Sequence, residues 1–221
     1  MSARYSYDSE LASLVAALIR MGAAATGAIA KAIDAFRTHD CALAREVMRG
    51  DDAINAMERD IEQMCLTLLL RQQPVAGDLR RVSAAIKMIT DIERIGDAAA
   101  DIADISRHID HEGMPPVADA IEQMAALAQE MVVDSINAYA SSDLTLAHQV
   151  MARDDEVDRC FSQIRSELAG LIARDTQHAA VALDYLMVAK YLERLGDHAV
   201  NICEWIEFVS TGVHNSTENI R

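Results

Sequence analysis

The chain has 221 residues, with 20 Lys and Arg against 35 Asp and Glu, and therefore a formal net charge of −15 at pH 7. This balance excludes a protein that binds nucleic acid through a basic stripe and favours cations or basic partners. The composition is 51% hydrophobic but only 4% aromatic, with 9 Gly and 3 Pro, which favours helices over sheet. The length allows one domain or two small ones.

The N-terminal and cysteine patterns indicate where the protein resides. Its start, Met-Ser-Ala-Arg, lacks the apolar run of a signal peptide, and the four cysteines lie far apart with no C-x-x-C pair. The apolar stretch over 11–19 stops at Arg20, short of the ~20 residues that a membrane-spanning helix needs. We therefore expect a reduced cytoplasmic protein without direct membrane insertion.

Three long helices are predicted in the first half of the chain. Apolar residues at spacings of three and four run from Leu11 to Phe36, Asp40 suits the N-cap of a second helix, and Pro74 ends it. The third helix carries the longest apolar series and ends at a Gly-Met-Pro-Pro segment. The predicted bounds are about 11–36, 40–71 and 76–112.

The second half repeats this plan. Helices are predicted near 117–140, 143–173 and 176–210, followed by a polar tail from Thr211 that we expect to be disordered. This divides the chain into a first bundle, a second bundle and a tail. Their predicted limits are 1–113, 114–210 and 211–221.

The two halves also share sequence. Residues 33–52 align with 136–155 at an offset of 103, with nine identities. The pentapeptide Glu-Arg-Ile-Gly-Asp at 93–97 recurs as Glu-Arg-Leu-Gly-Asp at 193–197, an offset of 100, so the intervening loop is three residues shorter in the second copy. The sequence therefore predicts an all-α fold of two tandem antiparallel three-helix bundles related by internal duplication.

Acidic side chains recur on the second and third helices of each unit. On the third helix they fall within an arc of roughly 80°, at about 100° per residue. Antiparallel packing about the turn between the two helices places both acidic sets at the same height, so we predict one metal site per repeat. The candidate ligands are Asp51, Asp52, Asn55, Glu93, Asp97 and Asp101 in the first repeat, and Asp154, Asp155, Asp158, Glu193, Asp197 and Asn201 in the second.

Clustered carboxylates repel one another unless they are protonated or bound to a cation. Hard oxygen ligands bind Mg, Mn, Ca or iron better than the soft metals that thiolate sites prefer. The sequence does not identify the ion, which is a divalent or iron-type metal (Fe, Mn, Mg or Zn). A single Glu-x-x-x-Asp pair would more simply be a solvated helix face, but recurrence in both repeats favours a cation site. His198 is a weaker candidate ligand, since the first repeat has Ala98 there.

Two further features complete the sequence pattern. Gly96 and Gly196 recur in the middle of helices, where Gly costs up to ~1 kcal/mol relative to Ala, and this indicates close helix approach. The sequence contains no phosphate-binding P-loop, no Glu-x-x-His pair of a di-iron oxidase and no nucleophile elbow. We therefore do not expect an enzyme.

The segment Gln-Gln-Pro-Val-Ala-Gly-Asp-Leu-Arg at 72–80, followed by Asp-Ile-Glu-Arg-Ile-Gly-Asp at 91–97 and its second copy at 191–202, resembles the PhoU family of phosphate-uptake regulators. The resemblance covers the chain from about Tyr7 to Glu207. It implies a cytoplasmic, often dimeric negative regulator of the phosphate-starvation response. Such a regulator works beside a phosphate-specific ABC transporter, through its ATPase component, and a sensor histidine kinase.

The resemblance also implies metal clusters at the acidic motifs, here Glu93 with Asp97 and Glu193 with Asp197. The first copy departs from the usual Asp-His-Ala-x-Asn-Ile continuation by placing Asp101 where the second copy has Asn201, so the two sites are expected to be unequal. We expect a metal-binding helical adaptor that reaches the membrane only through the transporter. The alternatives are a metal-buffering helical protein and a paralogue that regulates a different ion transporter.

Overall fold

The structure is a computed structural model, and it describes residues 3–109 and 117–213. Within those residues the chain is helical and contains no β-strand. The helices are α1 (Ala3–Thr38), α2 (Cys41–Gln72), α3 (Gly77–Ser106), α4 (Ala118–Ser141), α5 (Leu144–Arg174), a short 3-10 helix (Thr176–His178) and α6 (Ala179–Thr211).

Helices α1, α2 and α3 pack together as one bundle, and α4, α5 and α6 pack as a second. The bundles meet where α3 lies against α6 and α1 lies against α4. The core runs through both bundles without interruption, so that large side chains such as Leu18, Met21, Ile92 and Met124 are fully buried. The predicted fold of two duplicated three-helix bundles is confirmed.

Equivalent aspartates start the middle helix of each bundle. Oδ1 of Asp40 accepts hydrogen bonds from the backbone N–H groups of Ala42 at 2.8 Å and Leu43 at 3.0 Å. Oδ1 of Asp143 does the same for the first turn of α5, at 2.9 and 3.0 Å. Since Asp143 follows Asp40 by 103 residues, the duplication extends to the N-caps, and the predicted cap at Asp40 is confirmed.

Three predicted helix bounds differ from the structure. Helix α1 begins at Ala3 rather than near residue 11. Helix α3 ends at Ser106 rather than near 112, because the chain turns there and buries the side chain of Ile109. Residues 110–112 lie outside the described part. Helix α6 begins at Ala179, after a 3-10 turn in which Oδ1 of Asp175 accepts a hydrogen bond from the Gln177 N–H at 2.9 Å. The predicted disordered tail lies outside the described residues from 214 onward.

Helix α1 contains an apolar stretch long enough to cross a membrane. An 18-residue window within Tyr7–Thr38 has a mean hydropathy of 1.6 and passes a length-and-composition test for a membrane span. In the fold, its large side chains Leu14, Leu18, Met21 and Ile29 lie in the bundle core. The core helix of a soluble protein and a signal sequence pass the same test, so the hydropathy of α1 is weak evidence for a membrane span.

Candidate metal sites

Two mid-helix glycines let the acidic turns of each bundle approach one another. A Cβ atom on Gly196 would lie 2.9 Å from Oδ1 of Asp154 on α5. A Cβ atom on Gly96 would lie 3.0 Å from Cδ1 of Ile54 and 3.4 Å from Oδ1 of Asp51, both on α2. The close helix approach predicted from these glycines is confirmed, and it brings the acidic turn of the middle helix against the Glu-x-x-x-Asp turn of the third.

In the first bundle, Asp51 and Asn55 form the α2 side of the acidic site. The Asn55 amide donates a hydrogen bond from Nδ2 to Oδ2 of Asp51 at 2.9 Å. Oδ1 of Asp51 and Oδ1 of Asn55 are both buried and have no hydrogen-bond partner within the described residues. Burial raises the pKa of the Asp51 carboxyl, the charge of Asp97 raises it further, and the Asn55 hydrogen bond opposes the rise.

Helix α3 supplies the facing side. Burial raises the pKa of Glu93, and the neighbouring charge of Asp97 adds to the effect. Arg94 offsets part of it, since its guanidinium lies 2.8 Å from an Asp97 oxygen and 3.4 Å from a Glu93 oxygen. Glu58 also raises the pKa of Glu93 and was not predicted as part of this site. Its spacing of three residues after Asn55 on α2 could have identified it.

The second bundle crowds its carboxylates more strongly. The pKa of Asp154 is raised to about 7, first by burial, then by the charges of Asp197, Asp158, Asp155 and Glu193. Although part of Asp197 is exposed, the surrounding helices desolvate its carboxylate and raise its pKa, and Glu193 adds to this.

Lys190 moderates the charge of the second site. Its ammonium group forms an ion pair with Glu193 and lies 5.5 Å from the ring centroid of Phe161. It therefore lowers the pKa of Asp197. Phe161 occupies the position that Glu58 occupies in the first repeat, so a cation over an aromatic ring replaces a carboxylate there.

The structure gives two predicted ligands other partners. Burial raises the pKa of the Tyr191 hydroxyl, and the nearby carboxylate of Asp101 raises it further. The amide of Asn201 donates to Oδ1 of Asp91 at 3.0 Å, and Nδ1 of His198 lies 2.9 Å from the same oxygen. Asp101 and Asn201 thus join the two bundles as well as bordering the acidic sites.

These two contacts are equivalent under the internal duplication. Asp91 and Tyr191 are 100 residues apart, as are Asp101 and Asn201, so the pairings require α3 and α6 to run antiparallel. Sequence reasoning did not predict them. Once α3 and α6 are known to be antiparallel neighbours, such contacts can be found from the sequence, because the residue numbers of facing positions on the two helices have a constant sum.

Asp52 and Asp155 lie on the exposed side of α2 and α5. They act on the sites through their charge, since each raises the pKa of the aspartate that precedes it. Within the described residues, no group of three or more Asp, Glu, His or Cys side chains is arranged to hold a metal ion. The donors brought nearest to one another are Asp51, Asn55, Glu93 and Asp97, and Asp154, Asp158, Glu193 and Asp197.

The donor set nevertheless has the chemistry of a hard-cation site. Its groups are carboxylate and amide oxygens, and two of the oxygens in the first site are buried without a hydrogen-bond partner in the described part of the chain. The raised pKa values show that negative charge accumulates in both sites. A bound cation would relieve that repulsion.

Comparison with known proteins gives the family. The profile described as "PhoU domain" matches residues 18–106 and 121–206. A protein of Clostridium acetobutylicum, named a phosphate-specific transport system accessory protein PhoU homolog, is 35% identical over 93% of this chain and 94% of its own length. A protein of the same name from Caulobacter vibrioides is 38% identical over 94% of this chain and 90% of its own.

Solved structures agree with this relationship. The crystal structure of PhoU from Pseudomonas aeruginosa superposes with a TM-score of 0.90 at 33% identity, covering 94% of this chain and 100% of that one. The phosphate transport system regulatory protein PhoU from Streptococcus pneumoniae superposes at 0.89 with 27% identity, covering 94% and 98%. Both repeats, the helix order and most of the chain length are shared, and the chain belongs to the PhoU family.

Proposed function

We propose that this chain is an accessory protein of a phosphate-specific transport system, and that it represses the phosphate-starvation response when phosphate is plentiful. The names of its relatives support the transport role, since they are accessory proteins of that system. In this proposal the chain acts in the cytoplasm as a non-enzymatic adaptor. It connects the ATPase component of a phosphate ABC transporter with a sensor histidine kinase, and it works as a homodimer.

The observation that best supports a cation-dependent adaptor is the crowding of carboxylates in both bundles. Asp51, Asn55, Glu93 and Asp97 would hold a cation in the first bundle. Asp154, Asp158, Glu193 and Asp197 would hold one in the second. Bound there, the cation supplies positive charge that neutralises these groups, and Arg94 and Lys190 supply part of the same charge in its absence. Cation binding would therefore join the middle helix of each bundle to the third.

The chain's net charge of −15 suits docking to basic or cation-bridged surfaces. Docking regulates a partner only if the adaptor binds two conformations of that partner with different affinities. The proposal therefore requires that the chain prefers the repressing state of the kinase, or the state of the transporter that accompanies abundant phosphate. It places the acidic sites on or beside the docking surface.

The metal part of the proposal is tested by elemental analysis of purified protein. We expect loss of bound metal when Asp97→Ala and Asp197→Ala are combined, because each change removes a central carboxylate from one site. Asp60→Ala is the matched control, since it removes an exposed carboxylate of α2 outside the site. Equal metal content in the double variant and the control would overturn the assignment.

The regulatory part is tested by deleting the gene in its host and measuring alkaline phosphatase in phosphate-rich medium. We expect high output that the intact gene returns to a low level. Binding of the chain to the transporter ATPase and the kinase, with and without chelator, tests the adaptor role. Unchanged phosphatase output with no binding to either partner would overturn it, and metal exchange without any complex would point to a metal buffer instead.

A further inference from the structure

A cavity of about 520 Å³ lies at one end of the molecule, away from the acidic sites. It is enclosed by the N-terminal parts of α1, α3 and α5 and the C-terminal parts of α4 and α6. Arg81, in its wall, precedes Glu93 by 12 residues, or about 18 Å along α3. Its volume falls within the range of pockets that bind small molecules, roughly 300–1,000 Å³.

The cavity wall is mostly apolar, with one charged region and the polar residues Tyr139, Ser142 and Ser210. Leu11, Leu144 and Ile206 contribute apolar surface, while Arg80 and Arg81 contribute two guanidinium groups. Nε of Arg80 donates a hydrogen bond to the carbonyl of Val209 at 3.4 Å. Neither arginine forms an ion pair with a carboxylate within the described residues.

Backbone donors converge on the same region. Two helices begin at the cavity, and the N-terminus of α5 is already capped by the Asp143 side chain. The N-terminus of α3 has no side-chain cap, and its first residues, Gly77 and Asp78, line the cavity. The Asp78 N–H already donates to the Val75 carbonyl at 3.2 Å, so the helix dipole and the other N–H groups of the first turn are what would attract an anion there. Asp78 opposes this with one negative charge, against the two guanidinium groups.

A buried hydroxyl lies on α1 one helical turn before Leu11 of the cavity wall. The side chain of Tyr7 is 8% exposed, and its hydroxyl has no hydrogen-bond partner in the described part of the chain. After burial, the charges that act most on this hydroxyl are those of Asp78 and Arg81, two residues of the cavity wall. Tyr7 itself does not line the cavity, so its hydroxyl indicates polar surroundings beside the charged region rather than a contact with the ligand.

The internal duplication shows how the cavity arises. At the place related to the cavity by the duplication, Phe36 of the first bundle packs edge-on against Tyr185 of the second, with ring centroids 5.3 Å apart. Tyr139 corresponds to Phe36, and the residue corresponding to Tyr185 is Ala85. The arginines are replaced as well, since Ala180 and Val181 stand at the positions of Arg80 and Arg81. The first repeat thus has a small side chain and two cations where the second has an aromatic ring and no charge.

We propose that this cavity binds an organic phosphate. Its phosphate group would contact the Arg81 guanidinium and the N-terminus of α3, and its apolar body would lie against Leu11, Leu144 and Ile206. Arginine and helix N-termini both recognise phosphate through converging N–H donors. A soluble phosphate monoester and the headgroup of an acidic lipid share this chemistry. The proposal does not depend on the regulatory role or on the acidic sites.

Titration calorimetry with the full chain tests the proposal with three probes, n-hexyl phosphate, inorganic phosphate and 1-hexanol. Hexyl phosphate carries both recognised parts, so we expect it to bind at least tenfold more tightly than either of the others. Arg81→Ala should weaken its binding at least tenfold, while Arg59→Ala, which removes an exposed arginine of α2, should not. Equal effects of the two changes would overturn the site, as would equal affinity for all three probes.

A second variant keeps the charge and fills the space. Ala140 lines the cavity but is exposed, so Ala140→Trp should occlude the cavity with little change in thermal unfolding. We expect at least a tenfold loss of hexyl phosphate binding, and unchanged binding would overturn the proposal. Cosedimentation with phosphatidylcholine vesicles, with and without phosphatidic acid, separates the ligand sources. Vesicle binding that requires phosphatidic acid and Arg81 indicates a lipid headgroup as the ligand. No vesicle binding by a chain that does bind hexyl phosphate indicates a soluble ester.

Discussion

The two acidic sites share one backbone arrangement, but one position, Asn55 in the first site and Asp158 in the second, has opposite effects on the pKa of the neighbouring aspartate. In the first bundle, Asn55 donates a hydrogen bond to Asp51 and so lowers the pKa of that carboxyl. In the second, the equivalent position is Asp158, whose charge raises the pKa of Asp154. Burial acts in the same direction at both sites. The difference between an amide and a carboxylate therefore contributes to the value of about 7 reached by Asp154.

This comparison shows that duplication preserves a backbone arrangement while side chains set the charge of each site separately. The glycines, the N-caps and the helix contacts recur in both bundles. The ion pairs do not recur, although Arg94 has a counterpart in Arg194: Arg94 lies beside both carboxylates of its motif, whereas in the second motif Lys190 pairs with Glu193. The two sites should consequently differ in their response to pH and to cations.

The largest expected effect is on the stability of the metal-free protein. The raised pKa of Asp154 means that the folded state holds its proton more tightly than the unfolded state between about pH 4 and pH 7. This stabilisation is complete below pH 4 and is lost as the pH rises through 7. We expect a loss of about 2 kcal/mol from pH 4 to pH 8, allowing for solvent screening of a partly exposed group.

Urea unfolding in the presence of a chelator measures this loss. Asp154→Asn mimics the protonated carboxyl, so it should stabilise the protein at pH 8 by a similar amount and have little effect at pH 4. Asp51→Asn should have a smaller effect, because Asn55 already stabilises the Asp51 carboxylate. Equal changes in the free energy of unfolding for Asp154→Asn and Asp51→Asn would contradict the difference between the sites. An equal change for the exposed control Asp60→Asn would show that the effect does not come from the acidic sites.

Cation binding should show the same inequality. A cation at the second site competes with the proton on the Asp154 carboxyl. With a pKa of about 7, that carboxyl is about one-tenth ionised at pH 6. We expect Mn(II) to bind the second site about tenfold more weakly at pH 6 than at pH 8. Calorimetry on Asp97→Ala, which retains the second site, should show this dependence. Asp197→Ala, which retains the first, should show a weaker one, and equal dependence would contradict the assignment.

The sequence predicted the fold and the approach of the acidic turns because both depend on periodicity. Apolar spacing gave the helices, and the duplicated acidic turns gave the facing sets around Asp51 with Glu93 and around Asp154 with Glu193. Periodicity carries no information about neighbours from different bundles, so the contacts of Asp91 with His198 and Asn201 were not predicted. The end of α3 at Ser106 was missed for a similar reason, since burial of Ile109 is a tertiary contact.

Gly96 and Gly196 occupy equivalent positions in the two sites but face different side chains. In Gly96→Ala the new methyl group meets the branched, buried side chain of Ile54 at 3.0 Å. Overpacking of this kind costs about 1–3 kcal/mol, and the better helix propensity of Ala returns up to ~1 kcal/mol. We expect a net loss of about 1 kcal/mol in the free energy of unfolding, measured with urea.

Gly196→Ala should behave differently. Its methyl group meets the end of the Asp154 side chain, at 2.9 Å from Oδ1, and that carboxylate can rotate away. We expect nearly unchanged stability but weaker Mn(II) binding at the second site, because a ligand is displaced. Destabilisation by Gly196→Ala as large as that by Gly96→Ala would show that the Asp154 side chain is held as firmly as the core.

The smallest effect, and the most direct test of the comparison, comes from exchanging the two residues that distinguish the sites. Asn55→Asp should raise the pKa of Asp51, because it replaces a hydrogen-bond donor with a negative charge. Asp158→Asn should lower the pKa of Asp154 by removing one of the charges that raise it. Carbon-detected NMR titration of the aspartate carboxyl groups, in chelator, measures both shifts. Opposite shifts are required, and shifts of the same sign would mean that burial alone separates the two sites.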